Sequence, residues 1–229
     1  MIVTTNPLLT NRSLQERAPK TIGGYGRFRS VIDSDSALPA AIKALFVACA
    51  ACVKNYAEMA QRELERARDL GLPETDARSA MTILCSVRGE GAALRFRGLI
   101  GAVYGAAPDA VGAPDLLPVA PGEAEANFLG YFETMPPSLG KLLELVPTAG
   151  DAYYLMREGT LSGTSIEPRH AELLLVTVLT SDYSPWASVH MQGARKAGAS
   201  ETEVAEAVLC AVPVSGLSAW VVGATAMDA

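Results

Sequence analysis

Histidine is scarce in this chain, and so are most patterns that announce a catalytic or binding site. The 229 residues hold two histidines, His170 and His190. They stand twenty residues apart, with no His-x-x-x-His pair, so no metal is expected. Positive charge is not in surplus: the formal net charge is -6 and the pI about 5.0. Basic groups such as Arg95-Phe96-Arg97 are too few for the clustered face that a nucleic acid requires. No apolar run reaches the roughly 20 residues that span a bilayer. The first residues lack the apolar core of a signal peptide, so a soluble, cytoplasmic protein is expected. Four cysteines in a chain of this length do not make a disulfide framework.

Alternation of apolar and polar residues is also missing, as are Asn-Gly hairpin turns. What remains is apolar residues recurring at three- and four-residue spacing, which predicts an all-α protein. Residues 1–35, with the Gly-rich stretch TIGGYGRFRS, read as an N-terminal arm. A helical region follows at 36–104, interrupted at Gly71 and restarted at Pro73. Residues 105–123 read as a Gly/Pro-rich linker, and 124–229 as a second helical region.

The two regions resemble each other. Placing Gly71 on Gly198 sets an offset of 127 positions. In that register Ala67 meets Ala194, Arg68 meets Arg195, Glu74 meets Glu201 and Gly89 meets Gly216, without a gap. The expectation is two related helical-hairpin repeats, each burying its apolar face against the other or against a neighbouring chain. The repeats differ at polar positions: His190 stands opposite Glu63, Glu172 opposite Leu45, and Trp186 opposite Met59.

The second repeat resembles the carboxymuconolactone decarboxylase and alkylhydroperoxidase D superfamily. EPRHAELLLVTVL is similar to the family's glutamate-bearing helix, and YSPWASVHMQGARKAGASETEVAEAVLCAV to the segment after it. In the peroxidase branch two cysteines stand seven and four positions before the histidine. Here those positions hold Tyr183 and Trp186, which cannot form a thiolate or resolve a disulfide. The resemblance therefore points toward the lactone decarboxylase branch. It implies an all-α fold of alkylhydroperoxidase D-like type, no cofactor, and an oligomer. A two-repeat chain would mimic a hexamer of single repeats by forming a homotrimer.

An imidazole can accept and donate protons near neutral pH, so His190 is the expected proton-transfer residue, with Glu172 paired to it as the resemblance implies. Tyr183 and Trp186 share a face if a helix has begun there, and are expected to wall a substrate pocket. Arg88, Glu90 and Arg95, in SVRGEGAALRFRG, and Arg195 are expected to serve binding, an arginine stabilising a carboxylate or enolate. The expected function is a cofactor-independent decarboxylase, isomerase or lactone-processing enzyme acting on a small oxygenated organic acid or lactone. Two rivals stand beside it: a thiol-dependent oxidoreductase using Cys49 and Cys52, and a non-catalytic assembly subunit. His170 is expected at the surface, and Glu63 on a solvated helix face.

Overall fold

The protein is described from a computed structural model that covers residues 6–105 and 112–228. Among the described residues there are thirteen helices and no strand, so the fold is all-α. The chain forms two compact units, Met1–Ala106 with Ser165–Ala229, and Ala107–Thr164. This division differs from the linear one expected. The stretch 124–164 separates from the rest of the expected second repeat, while 165–229 packs with the N-terminal half. Part of the expected linker, 106–111, lies outside the described residues.

In the first unit α1 (Arg12–Arg17) and α2 (Pro19–Ile32) lead to α3 (Ala40–Val53), α4 (Ala57–Asp69), α5 (Glu74–Arg88) and α6 (Glu90–Tyr104). The unit resumes with α10 (Pro168–Ser181), α11 (Ala187–Lys196), α12 (Glu201–Ser215) and α13 (Leu217–Met227). Helices α3, α10 and α12 pack on one another and form the core. Residues 44–51 of α3 are fully buried, as expected of a helix apolar on every face. Its alanines and cysteines let the neighbouring backbones come close.

The two helix series share a layout. Helices α5 and α12 begin and end 127 positions apart, and α6 and α13 begin 127 apart. The stops match too: Gly71 and Gly198 have φ of 95° and 94°, Gly89 and Gly216 of 77° and 75°. These left-handed angles suit glycine, which has no Cβ to clash.

The N-terminal arm is helical over Arg12–Arg17 and Pro19–Ile32. Asn11 caps α1 by accepting from the Leu14 N–H, and Pro19 opens α2. The glycines of α2 lower its intrinsic stability, but its last turn is anchored by charge. Arg29, buried, donates to Asp33 and to Glu63 on α4, the latter at 3.1 Å. Arg66 reaches Glu63 at 3.1 Å and the Ile32 carbonyl at 3.1 Å. Burial alone would raise the Glu63 pKa, but Arg29, Arg66 and Arg62 outweigh it and hold it low. Glu63 is thus sealed, not solvated.

A second buried pair ties α12 to α3. Glu206 takes a bond from Lys43 at 3.1 Å and from the Leu38 N–H at 2.9 Å. The other unit holds α7 (Glu123–Phe132), α8 (Pro137–Leu145) and α9 (Pro147–Ser162), packed around Ala124, Phe128 and Leu139. There Arg157 lies 3.6 Å from the centre of the Tyr131 ring.

His170 is buried, not superficial, because α10 turns that face inward, and its Nε2 has no hydrogen-bond partner among the described residues. Burial lowers its pKa from 6.5; Arg169 acts in the same direction, and Glu167, Glu203 and Asp76 oppose it. The unfolded chain protonates this side chain at a higher pH than the folded chain does. Its contribution to stability is therefore present above pH 6.5 and is lost as the pH falls through the folded pKa. Denaturant titrations of the wild type and His170→Leu between pH 8 and 5 should show a shallower acid decline in the variant. Parallel declines would remove His170 as a cause.

Candidate functional site

Pro168 starts α10, and the helix runs through LLLVTVL with nearly every residue buried. A carboxylate in such a helix needs a partner, because an ion stripped of water without one costs several kcal/mol. Glu172 is 4% exposed. Its Oε2 lies 2.7 Å from Nδ1 of His190 on α11. With a carboxylate as acceptor, Nδ1 carries the hydrogen, and the Nε2 lone pair is left to act as a base. The imidazole is itself only partly buried, its side chain 25% exposed. The arrangement is an oriented histidine whose outer nitrogen can accept and return a proton.

The space for this contact comes from Gly193, one turn beyond His190. A Cβ at Gly193 would stand 2.6 Å from Glu172 Oε1 and 2.7 Å from its Cδ. Sequence reasoning missed this residue, although a signal existed. Glycine inside a helix costs about 1 kcal/mol against alanine, so its presence there asks for a reason. The far end of α11 is fixed by its stop at Gly198 and by the next cap. Ser200 and Glu203 form a reciprocal capping box at the start of α12.

The other expected site residues are placed as follows. Tyr183 and Trp186 precede α11 and do not share a helical face, since the helix begins at Ala187. Tyr183 takes a left-handed φ of 56°, unusual for an aromatic residue. Its hydroxyl donates to the Ser215 carbonyl, and Lys54 Nζ lies 5.6 Å from its ring centre. Trp186 is 66% exposed. Arg88 pairs with Asp182, which also binds Lys54 at 2.8 Å. Arg195 is bidentate on Glu201, at 2.6 and 2.8 Å, and reaches the Met227 carbonyl at 3.0 Å. It braces α11, α12 and α13 rather than standing free for a substrate. Glu90 is exposed in the first turn of α6, where it favours the positive helix end. Arg95 is exposed and pulls on the Cys52 thiol. His190 and Glu172 are therefore joined directly, while Arg88 and Tyr183 gather around Asp182 and Lys54. Glu63 belongs to the α2–α4 ion cluster.

Cys49 and Cys52 lack what peroxide chemistry needs. Both are buried in α3, and burial raises both thiols, Cys49 well above its usual value. Arg95 only partly offsets the effect at Cys52. Cys210, also buried, is pushed up to about 12.

Gly193→Ala should displace the Glu172 carboxylate and break its bond to His190. The expected loss is about 1–3 kcal/mol in denaturant unfolding, with an altered His190 imidazole signal in NMR. An unchanged imidazole signal would show that the helices part freely and that the glycine is dispensable.

Comparison with curated proteins finds no match. A crystal structure of a protein from Burkholderia xenovorans LB400, provisionally assigned as a gamma-carboxymuconolactone decarboxylase subunit, aligns with a TM-score of 0.62 at 21% identity. The alignment covers 96% of this chain and 88% of that one, and shows a common fold. Residues 147–229, which include α10 to α13 and the His190–Glu172 pair, match the model of the carboxymuconolactone decarboxylase family.

Proposed function

We propose that this protein is a cofactor-independent acid–base enzyme of decarboxylase type, acting on a small oxygenated organic acid or lactone, with His190 as the proton-transfer residue. The observation that carries the reading is the 2.7 Å bond between His190 Nδ1 and the buried Glu172 carboxylate. The family match of residues 147–229 supports the reaction class.

In a decarboxylation the bond from carbon to the substrate carboxylate breaks, and carbon dioxide leaves. The electron pair passes into a neighbouring carbonyl as an enolate. His190, having taken a proton from solvent onto the free Nε2, delivers it to carbon, so one proton is consumed for each carbon dioxide released. Glu172 holds the ring in place and stabilises the imidazolium while it is charged. Arg195 is too firmly engaged by Glu201 and Met227 to hold the substrate carboxylate.

The test is turnover of gamma-carboxymuconolactone, followed by ultraviolet absorbance and carbon dioxide release. His190→Gln should lower kcat by about 10²–10⁴-fold, the usual worth of a positioned acid–base group. Glu172→Gln should lower it less, and should shift the pH profile. Full activity in His190→Gln would sink the reading; loss in both variants while each stays folded would support it.

The same reading includes a homo-oligomer, with a trimer favoured. Leu217, Trp220 and Val221 on α13 are 66%, 37% and 63% exposed, and Trp186 also lies bare. Apolar surface of this kind is usually covered by a partner. Light scattering on the 24.0 kDa chain should give about three times that mass, and Val221→Glu should reduce it. A monomer at micromolar concentration would refute the oligomer.

A further inference from the structure

We propose a second ligand site in the first unit, for a small aromatic carboxylate, in the cavity between the N-terminal segment and the start of α4. The cavity is a groove open to solvent, with a volume of about 600 Å³, ample for a single substituted ring. Tyr25, Tyr56, Met59, Leu8 and Pro213 give it aromatic and apolar walls, and Arg62 gives it a cation. Neither His190 nor Glu172 lines it.

The charge at Arg62 is not fully met. Glu63 already binds Arg29 and Arg66 at 3.1 Å each, and Arg62 is its third guanidinium, at 3.3 Å. Asp33 serves Arg29 and Arg66 as well. Three arginines therefore share two carboxylates, and Arg62 is the outermost, with 26% of its side chain exposed against 4% for the others. A planar carboxylate suits a guanidinium whose remaining N–H groups are open, because the pairing is bidentate. Glu58 is the acidic lining residue; it is exposed, where water and salt screen its charge.

The polar rim is also prepared. Asn6 is 8% exposed and held by its own bonds: Oδ1 accepts from the Leu8 N–H at 3.0 Å, and Nδ2 donates to the Tyr25 hydroxyl at 3.3 Å. Having accepted there, the Tyr25 hydroxyl keeps its hydrogen for an acceptor in the cavity. The ring of a ligand would lie against Tyr56 and Met59, contacts that favour aromatic over aliphatic acids. Tyr56, Met59 and Glu63 stand 127 positions before Tyr183, Trp186 and His190. With Glu63 sealed by arginines, this region has a cation and no histidine, which suits binding without proton transfer.

The test uses the full-length protein labelled at methionine methyl groups, with the Met59 signal assigned through Met59→Leu. Benzoate should shift that signal saturably, and benzyl alcohol at the same concentrations should not. Arg62→Ala should weaken benzoate by about tenfold, and Glu172→Gln should leave it unchanged. Equal shifts from benzyl alcohol, or a Met59 signal that ignores benzoate, would overturn the proposal, as would binding lost in Glu172→Gln but kept in Arg62→Ala. Should Arg62→Ala fail to fold, the comparison of benzoate with benzyl alcohol on the wild type still decides. The proposal stands or falls without His190, whose own test is turnover.

Discussion

A carboxylate sealed among helices costs several kcal/mol unless a donor meets it, and the first unit buries four. Glu203 is met by the Ser200 cap of its own helix; Glu63, Glu172 and Glu206 reach outward. Each is met from a different helix. Glu206 on α12 is answered by Lys43 on α3, Glu63 on α4 by Arg29 on α2, and Glu172 on α10 by His190 on α11. The apolar core brings these helices together, but apolar packing tolerates sliding and exchange. A buried acid does not, because removing its donor strands a charge. The three pairs therefore select one arrangement of helices. The pair at His190 is the one whose donor also keeps a face toward solvent.

The two helix series show how a shared layout yields different chemistry. In the second, Glu172 on α10 passes over Gly193 to reach His190. In the first, the positions 127 earlier hold Leu45, Arg66 and Glu63. There Arg66 occupies the place of the glycine and binds Glu63 itself, and α2 adds Arg29. The carboxylate thus lies on the outer helix in one series and on the core helix in the other. An arginine cannot serve as a base near neutrality, whereas an imidazole can.

Several helices of the first unit are legible because glycine and proline punctuate them. Gly71 and Gly198 stop α4 and α11, and Pro73 and Pro168 stand at helix starts. His190 and Glu172 were legible through resemblance, since their eighteen-residue separation crosses a turn that periodicity does not count. Helix α2 was missed because its anchor, Glu63, is thirty-four residues away from Arg29, and local propensity sees only glycines. Glu63 was misplaced for the same reason: AQRELERARD has the composition of a wet surface until Arg29 covers it. His170 was misplaced because it stands in the first turn beside Arg169 and Glu172, and the all-round apolar run that signals burial begins only at Leu173. Arg195 looked free until Glu201 and the Met227 carbonyl came into reach.

Turning the Leu45, Glu63, Arg66 arrangement into the Glu172, His190, Gly193 arrangement takes three substitutions, and each one taken first does harm. Leu45→Glu would bury an acid where a fully buried leucine now packs. Glu63→His would strand Arg29 and Arg66 without their anion. Arg66→Gly would open a hole and leave Glu63 leaning on Arg29 and Arg62 alone. Sterics and charge thus separate the first arrangement from the second, and no one of the three substitutions is tolerated alone unless stability elsewhere first rises.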